Sequence, residues 1–234
     1  MSAGQRAQWA ARRSGLPSGG TRRWRAILEA GAVRTLAALP QGLTARLAGA
    51  PTMIDGQRLD PEVQLALGLL ALASEQPLET LSPAQARAQV SRDASLFQGP
   101  PIPLRATEEL TIPAGHGPIP ARLHVPEPAP GEGGLLVYFH GGGFVVGDLD
   151  SHDNTCRFLA SQAGVRVLSV HYRRAPEHPF PAAAEDALTA FLFACGEAHV
   201  LGAEAGRIAV GGDSAGGNLA AVVAQQARTG DTPP

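Results

Sequence analysis

The segment Ile208-Ala209-Val210-Gly211-Gly212-Asp213-Ser214-Ala215-Gly216 decides the fold class. An apolar strand run passes at once into a helical pattern marked by Leu219, Val222 and Val223. Ser214 sits at the junction between Gly212 and Gly216, a G-x-S-x-G arrangement. So abrupt a turn from strand to helix leaves no room for flanking side chains and strains the backbone of the apex residue. Ser214 Oγ is thereby lifted above the strand end, beside a helix N-terminus that favours developing negative charge.

Working upstream, Phe139-His140-Gly141-Gly142-Gly143-Phe144 follows the apolar run Leu135-Leu136-Val137-Tyr138-Phe139. Consecutive glycines let backbone N–H groups turn inward and approach a substrate. Either segment alone reads as well as a tight turn. Both together, each after an apolar strand and in this order, point to one site: Ser214 as nucleophile and a hole of N–H donors for an oxyanion. A P-loop is excluded because the chain has no Lys, and no G-x-G-x-x-G is present.

The elements between alternate. Glu108–Ile112 and Ile119–Val125 read as a hairpin around Gly115 and Gly117. Leu135–Phe139, Val165–Tyr172 and Ile208–Val210 read as buried strands. Cys156, Leu159, Ala160 and Ala163 have helical spacing, as do Ala184, Ala187, Leu188, Phe191 and Cys195 after Pro181. Strand and helix in alternation predict a parallel sheet with crossover helices.

Before Pro103 the pattern is helical, with no strand signal over roughly 22–98. Asp60-Pro61-Glu62 opens one helix, and Ser82-Pro83-Ala84-Gln85 is a capping box opening another. The expected organisation is a flexible basic arm over 1–21, a helical extension and cap over 22–102, and an α/β core over 103–234. Arg22-Arg23 does not start an export signal, because Arg25, Glu29 and Arg34 interrupt the stretch Trp24–Pro40. That stretch reads instead as an amphipathic helix carrying Trp24, Ile27, Leu28 and Leu36. Val63–Ala73 is too short to span a bilayer.

The chain has 234 residues, 44% of them hydrophobic, and a net charge of −2. Such a composition predicts a globular chain and gives no sign of a nucleic-acid partner. All 19 basic residues are Arg. They crowd residues 1–50, read as the solvated face of an Arg-rich extension. Cys156 and Cys195, far apart with no CxxC, exclude a disulfide scaffold and a zinc ribbon and suit a reducing cytoplasm.

With these motifs the chain resembles the hormone-sensitive-lipase-like (GDXG lipolytic) family of α/β-hydrolases. The likeness covers about residues 60–228. It rests on Leu136–Phe144, Gly147-Asp148, Ser151-His152, Tyr172-Arg173, Ala175-Pro176-Glu177-His178-Pro179-Phe180-Pro181-Ala182-Ala183 and Gly212–Ala220. The resemblance implies a doubly wound, mostly parallel sheet with an N-terminal helical cap. It implies hydrolysis of small carboxylic esters through an acyl-enzyme, with Ser214 as nucleophile and Gly142, Gly143 and Ala215 as oxyanion donors. It implies no metal or organic cofactor, no membrane span, and a homodimer in the full-length form. Arg174 and His171 depart from the residue types usual at those positions.

Of the histidines, His140 is expected to steady the glycine loop together with Gly141. His152 and His178 look structural, and His116, His124, His171 and His199 lack metal-ligand spacing. Arg173 is expected to pair with Glu177, and Glu185 and Asp186 to be solvated or ion-paired. The family places its triad acid and His after the serine. Here only Asp231 and no His follow, so the resemblance implies a chain truncated after the elbow helix, inactive or very weak alone. A catalytically silent binding protein, or an amidase or deacetylase of the same fold, are the competing readings.

Overall fold

The computed structural model describes residues 39–73, 76–129 and 131–229. The expected basic arm and all but the last two residues of the expected Trp24–Pro40 helix lie outside them; Leu39 and Pro40 are described and are not helical.

The first described elements are helix α1 (Gln41–Ala48), strands β1 (Met53–Ile54) and β2 (Gln57–Arg58), and helices α2 (Pro61–Ala73) and α3 (Pro83–Phe97). Asp60 caps α2 through the Glu62 N–H at 2.8 Å. Ser82 and Gln85 form the capping box of α3. The β1–β2 hairpin corrects the expectation of a strand-free stretch. Its turn is Asp55-Gly56, with φ of 50° and 75°. Asp-Gly with both residues left-handed is the pairing a two-residue hairpin turn requires.

Five strands make the main sheet: β3 (Ala106–Ile112), β4 (Ile119–Val125), β5 (Gly133–Phe139), β6 (Arg166–Val170) and β7 (Ala203–Gly212). Their order is β3-β4-β6-β5-β7. β4 runs antiparallel to both β3 and β6, while β5 runs parallel to β6 and β7. Four of the five strands therefore point the same way. Helices α4 (Asp153–Ala163), α5 (Ala182–Gly196) and α6 (Ala215–Thr229) complete the core.

β5 shows why its apolar run has no polar alternation. Val137 and Phe139 pack with Leu168, Ala187, Ala190, Leu219 and Val223 on the α5 and α6 side. Tyr138 points the other way, onto Cys156 and Ala160 of α4. Successive side chains of a strand face opposite layers, and here both layers are dry. Cys156, fully buried, has its thiol pushed up to about 12 by desolvation.

The chain leaves β5 for β6 over one face, then crosses β5 to reach β7 over the other. The strand order thus reverses at the carboxyl end of β5, the place where open α/β sheets leave a crevice for ligands. The glycine loop begins there.

One pairing expectation is corrected nearby. Arg173 does not meet Glu177; its guanidinium lies 2.8 Å from Asp186 and 3.1 Å from Glu185. The Arg173 N–H also donates to Asp186 at 2.8 Å, so backbone and side chain are held toward α5 together. Glu177 instead binds Arg87 of α3. Asp186 is fully buried, and the His116 ring from the β3–β4 turn reaches it at 2.7 Å.

Candidate active site

β7 ends at Gly212, and α6 starts at Ala215. Between them Ser214 has φ of 51°, a left-handed conformation that a side-chain-bearing residue adopts only under strain. The turn closes through Gly216 N–H to Asp213 C=O at 2.8 Å and Asn218 N–H to Ser214 C=O at 3.1 Å. A Cβ on Gly212 would stand 2.3 Å from the Phe139 carbonyl oxygen, and one on Gly216 only 1.8 Å from it. The glycines flanking Ser214 are therefore set by the neighbouring strand as much as by the turn. Ser214 itself is exposed, and Ala215 is buried.

At the end of β5, beside it in the sheet, the loop His140–Phe144 turns sharply. Gly142, Gly143 and Phe144 have φ of 119°, 59° and 64°. The Gly142 carbonyl accepts the N–H groups of Val145 and Val146 at 3.0 and 2.9 Å. A Cβ on Gly142 would meet Val146 O at 2.2 Å, whereas one on Gly143 would meet nothing within 4 Å. The N–H groups of Gly142, Gly143 and Ala215 find no acceptor among the described residues.

Asp213 ties the two turns together. Its Oδ1 accepts the Gly141 N–H at 2.9 Å and the Tyr138 hydroxyl at 2.7 Å. His152 Nε2 lies 3.4 Å from the same oxygen. Desolvation opposes the charge, but the Tyr138 hydroxyl, His152 and the Gly141 N–H outweigh it, and the carboxyl titrates below its ordinary value. Burial and this contact push the Tyr138 hydroxyl well above the usual phenol range. No room is left for a side chain at Gly141, whose Cβ would lie 2.1 Å from Asp213 Oδ2.

His140 is fully buried, stacked on Tyr172 at 4.4 Å between ring centroids. Its Nδ1 lies 2.8 Å from the Gly141 carbonyl, an acceptor only, so Nδ1 carries the proton. Nε2 has no hydrogen-bond partner among the described residues, and burial lowers the imidazole to about 4. A neutral ring with one nitrogen committed to the loop suits support better than proton transfer. The Tyr172 hydroxyl donates to the His140 carbonyl at 2.7 Å.

The structure thus places Gly212, Asp213, Ser214, Ala215 and Gly216 at the end of one strand and the loop of His140, Gly141, Gly142 and Gly143 at the end of its paired neighbour, joined through Asp213 and Gly141. Among the described residues no side chain hydrogen-bonds Ser214 Oγ, and no group of His, Cys, Asp or Glu could hold a metal ion. Sequence reading missed Tyr138, His152 and Tyr172 as neighbours of the site. Their spacing carries no periodic signal; only the strand pairing brings them in.

A family model described as an α/β hydrolase fold matches residues 136–234. Carboxylic ester hydrolase LipN of Mycobacterium tuberculosis is 46% identical over 188 residues, which are 77% of this chain and 48% of that relative. Ethyl acetate hydrolase of Pseudomonas putida is 42% identical over 154 residues, 64% of this chain and 48% of the relative. A solved hyperthermophilic esterase from the archaeon Pyrobaculum calidifontis superposes with a TM-score of 0.65 at 41% identity, covering 71% of this chain and 52% of that one. The chain spans about half the length of the curated relatives it matches.

Proposed function

We propose that this chain is a member of the hormone-sensitive-lipase-like family of α/β-hydrolases and carries the nucleophile and oxyanion hole of a carboxylic ester hydrolase. Ser214 attacks the ester carbonyl, the alcohol leaves, and water releases the acid from the acyl-enzyme. The N–H groups of Gly142, Gly143 and Ala215 receive the oxyanion of each tetrahedral intermediate. The observation that carries this reading is that these three donors stand unused beside the strained Ser214. Preorganised donors of this kind need no rearrangement when charge develops, and loss of one costs about 10²–10³ in rate.

The relatives are named as ester hydrolases, which supports chemistry over a silent binding role. No helix of the described residues is long and apolar enough to cross a membrane. Two free cysteines support a cytoplasmic setting. Association as a homodimer belongs to the same reading and is checked by sedimentation of the natural full-length protein.

The test is a fluorophosphonate label on that protein, followed by peptide mapping. Label on Ser214, lost in S214A together with p-nitrophenyl ester turnover, is the expected result. Turnover that survives in S214A would overturn the assignment.

A further inference from the structure

Arg87 lies on α3, far in sequence from the glycine loop, yet its guanidinium touches that loop directly. Nε donates to the Val145 carbonyl at 2.7 Å. Nη2 donates to the Ala175 carbonyl at 2.8 Å. Nη1 and Nη2 also grip Glu177 bidentately at 2.8 and 2.6 Å. The Arg87 side chain is only 20% exposed. Glu177, held down to about 2 by the Arg87 hydrogen bond, supplies the compensating charge.

These contacts close a ring behind the loop. The Ala175 N–H donates to the Phe144 carbonyl at 2.8 Å, while the Ala175 carbonyl takes Arg87. The carbonyls of Phe144 and Val145 are thus both tied from outside. Phe144 needs such ties, because its φ of 64° is left-handed and it has a side chain. A strained residue of this kind persists only where its surroundings over-determine it, at a cost on the order of 1–3 kcal/mol.

We propose that Arg87 is a positioning residue for ester hydrolysis: it braces the Gly142–Val145 turn so that the Gly142 and Gly143 N–H groups stay aimed beside Ser214. The inference rests on the esterase reading for its kinetic consequence, though not for the brace itself. The guanidinium fork makes four bonds here, to two carbonyls and both oxygens of one carboxylate; a lysine ammonium, with three donors on one atom, cannot make all four.

The experiment compares wild type, R87A, R87K and E177Q in the natural full-length protein. Two readouts are taken: hydrogen exchange of residues 141–147, and kcat and KM on p-nitrophenyl butyrate. R87A is expected to speed exchange in that loop and lower kcat at least tenfold with KM little changed. A displacement of about 1 Å in a catalytic constellation can cost 10²-fold. R87K should not restore the rate, added guanidinium ion should restore part of it in R87A, and E177Q should be milder. Unchanged exchange in R87A overturns the brace, as does a loosened loop with wild-type kcat, or full rescue by R87K. An inactive wild-type enzyme whose loop still loosens in R87A overturns the esterase reading and leaves the brace standing.

Discussion

Asp213 Oδ1 accepts the Gly141 N–H at 2.9 Å, so the residue before the strained serine holds the first glycine of the facing loop. The same oxygen takes the Tyr138 hydroxyl at 2.7 Å. In D213N the amide oxygen can still accept these bonds, but without charge. The expected outcome is a loss of about tenfold in kcat with KM near its parent value, the scale of one weakened hydrogen bond of about 1.4 kcal/mol. Steady-state rates of the natural full-length protein on a p-nitrophenyl ester measure it; a D213N variant with the parent kcat would sink the idea.

Alanine at Gly216 has no way to fit. Its Cβ would stand 1.8 Å from the Phe139 carbonyl and 2.7 Å from that of His140, both backbone atoms. At Gly217 the nearest atom is Gly212 O, at 3.2 Å. G216A is therefore expected to lose at least about 3 kcal/mol, the upper range for forced overpacking, while G217A folds with a small penalty. Urea unfolding of the two variants side by side tests the contrast, and equal midpoints would contradict it.

Acid should weaken the fold well before the carboxylates titrate. Folded His140 binds its proton only near pH 4, because of burial, while the unfolded imidazole binds it near 6.5. The unfolded chain thus takes up the proton first. This contribution is complete above pH 6.5 and fades as pH falls toward 4, by up to about 3 kcal/mol. His124 and His171, lowered mainly by burial, add to the same slope. Asp148, Asp153 and Asp213 are lowered carboxylates, so their contribution is lost only below about pH 3.8. Melting temperatures between pH 7.5 and 4.5 should fall, and H140Q should flatten the curve.

The buried Asp186 offers a purely structural test. It accepts the Arg173 N–H, the Arg173 side chain and the His116 ring. D186A leaves the Arg173 N–H and the His116 ring without their partner, and the Arg173 guanidinium with Glu185 as its remaining carboxylate, and should cost about 3 kcal/mol, the lower range for breaking a buried ion pair. D186N, which keeps an acceptor for the backbone N–H, should cost less. Denaturant midpoints separate them; identical stability of D186A and wild type would rule this out.

The parts of the fold that could be read in advance are those written in consecutive residues. Leu135–Phe139 is apolar throughout because both faces of β5 are covered. The β3–β4 turn carries its glycines, and α3 carries its capping box. The β1–β2 hairpin is signalled only by Asp55-Gly56, since two-residue strands leave no alternation to count. Arg173 and Glu177 lie close in sequence, but the segment is a loop that carries Glu177 away toward α3 while Arg173 turns to α5. Ser214 and its glycines were legible because sterics act within a few residues. Asp213 on Gly141 and Arg87 on Val145 were not, because each contact exists only once distant elements have packed.

The bond between Arg87 and Glu177 joins segments ninety positions apart, and this constrains how this chain can be recombined with its relatives. A chimaera with one parental crossover between these positions takes the helix from one parent and the acidic loop from the other. It keeps a working pair only if both parents use the same partners. Crossovers placed before Arg87 or after Glu177 inherit the pair intact. Gene-shuffling libraries built on this chain should therefore keep the braced loop mainly in members whose breakpoints lie outside that interval.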